Sequence, residues 1–112
     1  MTSRALAQRF VDEGLRQADH PLVRFVDGPS GRRAALVGRG LDVWEVIATV
    51  RDNENDLAAT ASYLGILLGL VEAAVSYYGE YRDEIDEEIA LNQSEWERGY
   101  GAWEAGQRAL AS

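Results

Sequence analysis

With 112 residues, 46% of them apolar and 27% charged, the chain has the size of one domain and enough apolar surface for one modest core, which excludes wholesale disorder. It has no cysteine and a single histidine, which excludes disulfides, thiol chemistry and histidine-rich metal centres. All eleven basic residues are arginine: residues 1–51 carry eight arginines against six acids, a net of +2, and residues 52–112 carry three against thirteen, a net of −10, for −8 in all. An acidic second half repels phosphate backbones and suits a basic protein partner; the plainer alternative is a solvated acidic surface.

The N-terminus, from Met1 to Arg9, has no signal-peptide layout, and the longest apolar run, Tyr63 to Val71, is too short to cross a bilayer. A cytoplasmic protein that does not span a membrane is the default expectation. Residues Arg4 to Ala18 read as a helix: Leu6, Phe10, Val11 and Leu15 recur at helical spacing, Ser3 can cap the start, and Asp19-His20-Pro21 ends it. Leu22 to Val26 and Arg32 to Val37 are short runs of strand-forming residues on either side of Asp27-Gly28-Pro29-Ser30-Gly31, the signature of a β-hairpin closed by Gly38-Arg39-Gly40.

Asp42 stands three residues before Glu45, a capping box, and Val43, Trp44, Val46, Ile47 and Val50 follow as a helix with one buried face. After the polar loop Arg51 to Asn55, Asp56 caps a helix from Leu57 to Leu64, Gly65 breaks it, and another helix runs from Ile66 or Leu67 to Tyr78, ended by Gly79. Ala61, Gly65 and Val71 have the spacing of a helix-turn-helix: a small residue at the crossing, a glycine for the turn, an apolar plug for the joint. Trp44, Ile47, Leu57, Leu64 and Val75 supply core around it. Ordinary helical hairpins share this spacing.

The second helix of that unit holds no arginine, lysine, asparagine or glutamine between Ile66 and Ala74, so it offers no donor to base edges. Leu67, Leu68 and Leu70 cover more than one side of it, and a second copy of the chain is the simplest cover for the excess. From Glu80 the pattern is helical to Leu110. Ile89, Trp96, Trp103 and Leu110 recur every seven residues, with Ile85, Asn92, Tyr100 and Gln107 beside them, as one stripe. Ile85, Ile89, Asn92, Trp96, Tyr100 and Trp103 are therefore the candidate partner-binding residues; the alternative is that the aromatics fold back on the chain's own core. Gly99, Gly101 and Gly106 each cost a helix about 1 kcal/mol, so the tail should fray unless something covers it.

The chain thus divides into an N-terminal helix (1–21), a β-hairpin (22–40), a helix-turn-helix core (41–79) and a C-terminal helix (80–112), in one domain. The fold class expected is mainly α, with a homeodomain-like helix-turn-helix core, a small N-terminal hairpin and a long C-terminal helix. Arg24, Arg32, Arg33 and Arg39 gather on the hairpin: they either contact nucleic acid or pair with the chain's own carboxylates, and the net charge favours the second. The acids from Asp83 to Glu88 radiate around a helix instead of converging, and His20 has no flanking catalytic motif. No catalytic residue, cofactor, metal or small-molecule ligand is expected.

The stretches Gly31 to Gly38, Leu41 to Val46, Ala74 to Tyr78 and Tyr81 to Asp86, above all the pair Tyr77-Tyr78 and the triplet Glu84-Ile85-Asp86, resemble the domain-of-unknown-function family numbered four hundred and thirty-three. The resemblance covers residues 25–89. That family is helix-turn-helix-like, and many of its members resemble VapB-type antitoxins encoded beside PIN-like ribonuclease toxins. The resemblance implies a homodimer that covers a basic, PIN-like toxin with its C-terminal segment and can repress its own operon. It implies no catalytic residue and says nothing of the N-terminal helix or the tryptophan-rich tail, which lie outside the matched stretches.

Overall fold

Proline, glycine and two aspartates place most of the boundaries. The computed structural model describes residues 3–28 and 31–112. Helix α1 (Ser3–Asp19) stops just ahead of His20-Pro21. Strands β1 (Val23–Gly28) and β2 (Gly31–Leu36) pair antiparallel with Val23 opposite Leu36 and Gly28 opposite Gly31, so the ladder extends further into the expected turn than the apolar runs alone suggest. The turn centre expected at Pro29-Ser30, and the first two residues of the chain, lie outside the described residues. Gly38 and Gly40 take positive φ in the turn that follows.

Helix α2 (Val43–Asp52) starts at Asp42, whose backbone N–H donates to Glu45 Oε1 at 3.3 Å. Helix α3 (Leu57–Leu64) is capped by Asp56, whose carboxylate accepts from the Ala59 N–H at 2.9 Å, a contact worth about 1 kcal/mol to a helix. Gly65 closes it at φ 67°, ψ 36°, with Ile66 N–H donating to Ala61 O (3.0 Å) and Gly65 N–H to Ser62 O (3.3 Å), a Schellman closure. Helix α4 (Leu68–Glu80) then leaves at 118° to α3. Gly79 does not end it. The helix runs through Gly79 and breaks at Tyr81 (φ −122°, ψ 43°), whose ring packs against Tyr77 and beneath the Arg16 guanidinium.

Helix α5 (Arg82–Ala111) is continuous through Gly99, Gly101 and Gly106. The aromatic contacts Trp96–Tyr100 and Tyr100–Trp103 span the same stretch, and each such pair contributes about 0.5–1.5 kcal/mol, which offsets part of the glycine cost.

The core lies between the hairpin and α2, α4 and the first turn of α5. Val23 and Leu36 meet Val43, Val46, Val71, Ala74, Tyr77 and Ile85, all essentially without exposure. Ala61 and Ile47 are buried, and Trp44, Leu57 and Leu64 pack on the core's edge, but Val75 faces outward beside Tyr78. The radius of gyration is 17.0 Å, against about 13 Å for a compact chain of this length, because α5 projects well past the body. Among the described residues no single helix is long and apolar enough to cross a membrane.

The first helix departs most from expectation. Its spacing makes one apolar face, but that face looks outward: Leu6, Phe10, Val11 and Leu15 are 40, 57, 58 and 64% exposed. The polar face is the docked one. Glu13 is buried, held by Arg32 through Nε (3.0 Å) and Nη2 (2.5 Å), and Arg16 reaches Tyr77 and Glu84.

Candidate interaction surface

Two Arg–Tyr–carboxylate clusters hold the root of α5. Neighbouring residues of α4, Tyr77 and Tyr78, turn to different sides. Tyr77 donates to Glu84 Oε2 (2.9 Å), and Arg16 Nη1 donates to both Tyr77 Oη (2.8 Å) and Glu84 Oε1 (2.9 Å). Tyr78 donates to Asp86 Oδ1 (2.7 Å), and Arg51 donates to Tyr78 and to the same Asp86 oxygen (2.5 Å). Between the two acids, Ile85 plugs the core. The pair Tyr77-Tyr78 and the triplet Glu84-Ile85-Asp86 are therefore parts of one joint.

Electrostatics follow the geometry. Burial and the Glu84 charge push the Tyr77 hydroxyl well above its ordinary value, so it remains a donor throughout the neutral range. Burial works against the Arg16 charge, but its bonds to Glu84 and Tyr77 outweigh it and the net shift is upward. Hydrogen bonds from Tyr78 and then Arg51 hold Asp86 below the usual carboxylate range. His20 adds an edge contact to Tyr77 and pairs with Glu80 at 2.5 Å, closing the joint from the α1 side.

Beyond the joint, a groove of about 480 Å³ separates the start of β2 and Trp44 from α5. Arg33 crosses it: Nε lies 2.6 Å from Asp42 Oδ2, and a Cβ on Gly28 would stand 1.6 Å from its Nη1, so the guanidinium is laid over a glycine. Of the five acids that line the groove, Asp42, Glu84, Glu87, Glu88 and Glu95, Glu88 is the most perturbed. Burial first, then the charges of Glu84 and Asp42, push its carboxyl up to about 7, and its Oε2 is buried without a hydrogen-bond partner among the described residues.

The stripe expected on the C-terminal helix exists, but its members divide. Ile85 is fully buried and cannot meet a partner, because α5 begins against the core and its first inward side chain completes that core. Ile89 is half-buried on the core's edge. Asn92 lines the groove, and its amide donates to Glu88 O in its own helix (2.7 Å). Trp96, Tyr100 and Trp103 are 67, 47 and 60% exposed and stack in series, with centroids 5.2 and 6.2 Å apart. At 1.5 Å per residue the stripe runs roughly 27 Å from Ile85 to Trp103, buried at one end and bare at the other.

The other candidates separate as well. Leu67 and Leu68 are exposed at the α3–α4 turn beside the exposed Tyr63, whereas Leu70 turns back onto the core and is only partly available for self-association. Of the hairpin arginines, Arg32 pairs with Glu13 and Asp27, Arg33 with Asp42, and Arg39 donates to Gly65 O (2.7 Å), which leaves Arg24 exposed. They do not form one cationic patch, because Arg32, Arg33 and Arg39 have each found a separate acceptor on the chain itself.

Compared with protein-family models, curated proteins and solved structures, the chain matches none. Its chemistry is therefore read from the surface alone. Among the described residues no group of three histidine, cysteine or acidic side chains is arranged to hold a metal. Reasoning from spacing alone missed the paired joint at the root of α5 and the outward face of α1. The Tyr77-Tyr78 and Glu84-Ile85-Asp86 strings were a signal for the first. Nothing local signals the second.

Proposed function

We propose that the chain is a non-catalytic, antitoxin-like binding module whose projecting α5 lies across a basic protein partner of the PIN-like ribonuclease type and blocks access to it. The observation that carries this reading is the bare end of the α5 stripe, where Trp96, Tyr100 and Trp103 stack in the open on a helix rooted rigidly in the core. Large aromatics are the usual anchors of protein interfaces, and these three stand largely exposed on one face, touching one another and not the core. The acids Glu95, Glu97 and Glu104 flank them and suit a basic surface, with charge mainly speeding encounter. Co-expression with the protein encoded by the neighbouring gene, followed by co-purification, tests it. Trp96→Ala with Trp103→Ala should weaken the complex by at least about a hundredfold, the scale of two interface anchors. A neighbour that does not bind, or binds the double variant equally well, refutes it.

A second reading rests on the α3–α4 geometry. Its 118° bend over Gly65-Ile66-Leu67 falls in the range of helix-turn-helix units and supports a homeodomain-like core in a DNA-binding autoregulator. The start of α4 presents Leu67, Leu68 and Glu72, and Arg32 and Arg33 are engaged in ion pairs within the chain, so the first reading is preferred. Gel shifts at low salt with the upstream DNA separate the two: binding abolished by Arg24→Ala or Arg39→Ala would favour the regulator.

A further inference from the structure

Of residues 3–20, only Arg9, Glu13, Arg16 and His20 are buried or half-buried, and all four fall on one stripe at helical spacing. Every side chain that α1 turns to the body is therefore charged or polar, and none of its apolar residues joins the hydrophobic core. Glu13 holds Arg32 of β2 through Nε and Nη2, at 3.0 and 2.5 Å. Arg16 reaches Tyr77 and Glu84 and lies over the Tyr81 ring, 4.0 Å from its centroid. His20, whose N–H still donates to Arg16 O, pairs with Glu80.

We propose that α1 is a strap held by charge, which opens as a unit from an otherwise intact fold and uncovers the aromatic surface of Phe25, Tyr77 and Tyr81 beneath it. A helix docked by an apolar face gives up core burial when it leaves, and that ties its release to unfolding of the whole. Helix α1 gives up none, so its opening is separable from the core. Both of its guanidinium contacts also have a second carboxylate ready. Arg16 Nε lies 3.1 Å from Asp12 in its own helix, and Arg32 Nη1 lies 3.3 Å from Asp27 in the hairpin. Release therefore leaves neither cation bare, which is the usual cost of breaking a half-buried ion pair.

What lies beneath can stand without the strap. Tyr77 keeps its bond to Glu84, and Tyr78, Arg51 and Asp86 hold the root of α5 from the other side. The uncovered rings are already in series, with Phe25 6.4 Å and Tyr81 4.6 Å from Tyr77 between centroids. A lone helix of 17 residues with Gly14 inside it is marginal in water, so the released strap also loses its amide protection. The inference is independent of what α5 binds.

Hydrogen exchange of the full chain, read residue by residue by nuclear magnetic resonance, tests it. The amides of α1 should exchange together, at least about a hundredfold faster than those of Val46 and Val71 in the core. Raising salt from about 0.01 to about 1 M, which shortens the screening length from about 30 to about 3 Å, should speed α1 exchange severalfold relative to the core. The ring signals of Phe25, Tyr77 and Tyr81 should shift in step. Glu13→Gln should raise the opening of α1 by roughly tenfold and leave the core amides unchanged. Phe10→Ala with Leu15→Ala, which strips the outer face, should not release the strap. Amides of α1 that exchange only at the core's rate, opening indifferent to salt and to Glu13→Gln, or release by the Phe10→Ala, Leu15→Ala chain would each overturn the proposal.

Discussion

Tyr77 donates its hydroxyl hydrogen to Glu84 at 2.9 Å across the α4–α5 break, tying the first turn of the last helix to the end of the helix before it. Its neighbour Tyr78 repeats the arrangement with Asp86, two residues along. Two adjacent tyrosines thus hold two acids on either side of Ile85, and each bond is braced by an arginine from a different element, Arg16 from α1 and Arg51 from α2. These contacts root the projecting aromatic stripe in the body of the fold.

The two clusters should respond unequally. Tyr77 is buried, so Tyr77→Phe removes a hydrogen bond from a site where water cannot replace it, at a cost of about 1–2 kcal/mol in urea unfolding. Tyr78→Phe acts at a half-exposed site where solvent substitutes for the lost hydroxyl, and it should cost clearly less. Equal costs would show that the joint is not organised as described.

Glu88 should make stability depend on pH in the sense opposite to most carboxylates. Its folded-state value of about 7 lies above the ordinary 4.5, so between those values the folded chain binds more protons than the unfolded one, and stability falls as pH rises through that window. Glu88→Gln should therefore leave stability at pH 4.5 nearly unchanged and raise it at pH 8 by about 1–2 kcal/mol, discounted for a site only half enclosed. Thermal unfolding at the two pH values measures the difference.

Glycine to alanine should have opposite signs at different places. Gly65 sits at φ 67° in open space, so Gly65→Ala meets no clash but places a Cβ in the left-handed region, costing about 1 kcal/mol or more. Gly99 and Gly101 are helical and equally open, so alanine there should add about 0.5–1 kcal/mol of helix stability apiece, visible as steeper helical melting of the tail. Destabilisation by Gly101→Ala would mean the tail is not helical in solution.

Tryptophan fluorescence should report on the stripe. Trp96 and Trp103 stand in solvent and Trp44 is partly covered, so acrylamide should quench most of the emission in the free chain. Addition of the neighbouring-gene partner should shift the emission to the blue and protect it from quenching. The same partner added to a Trp44-only variant (Trp96→Phe, Trp103→Phe) should change the signal little.

Local structure was legible in the sequence. Asp42 and Asp56 start helices, Gly65 stops one, and His20-Pro21 stops another, because caps, positive φ and proline act within a few residues of themselves. The spacing from Ile85 to Trp103 correctly made one stripe. Which part of that stripe is covered was decided elsewhere: α5 enters beside Val43, Val71 and Tyr77, so Ile85 is consumed in the core, and eleven residues later Trp96 has left it. The same holds for α1. Periodicity gives a helix an apolar face but not the surface that meets it, and here ion pairs made over long sequence separations, Glu13 with Arg32 and Arg16 with Glu84, turned that face outward. Short-range chemistry wrote the elements; pairing between distant charges, which no local pattern records, settled what each one shows to the outside.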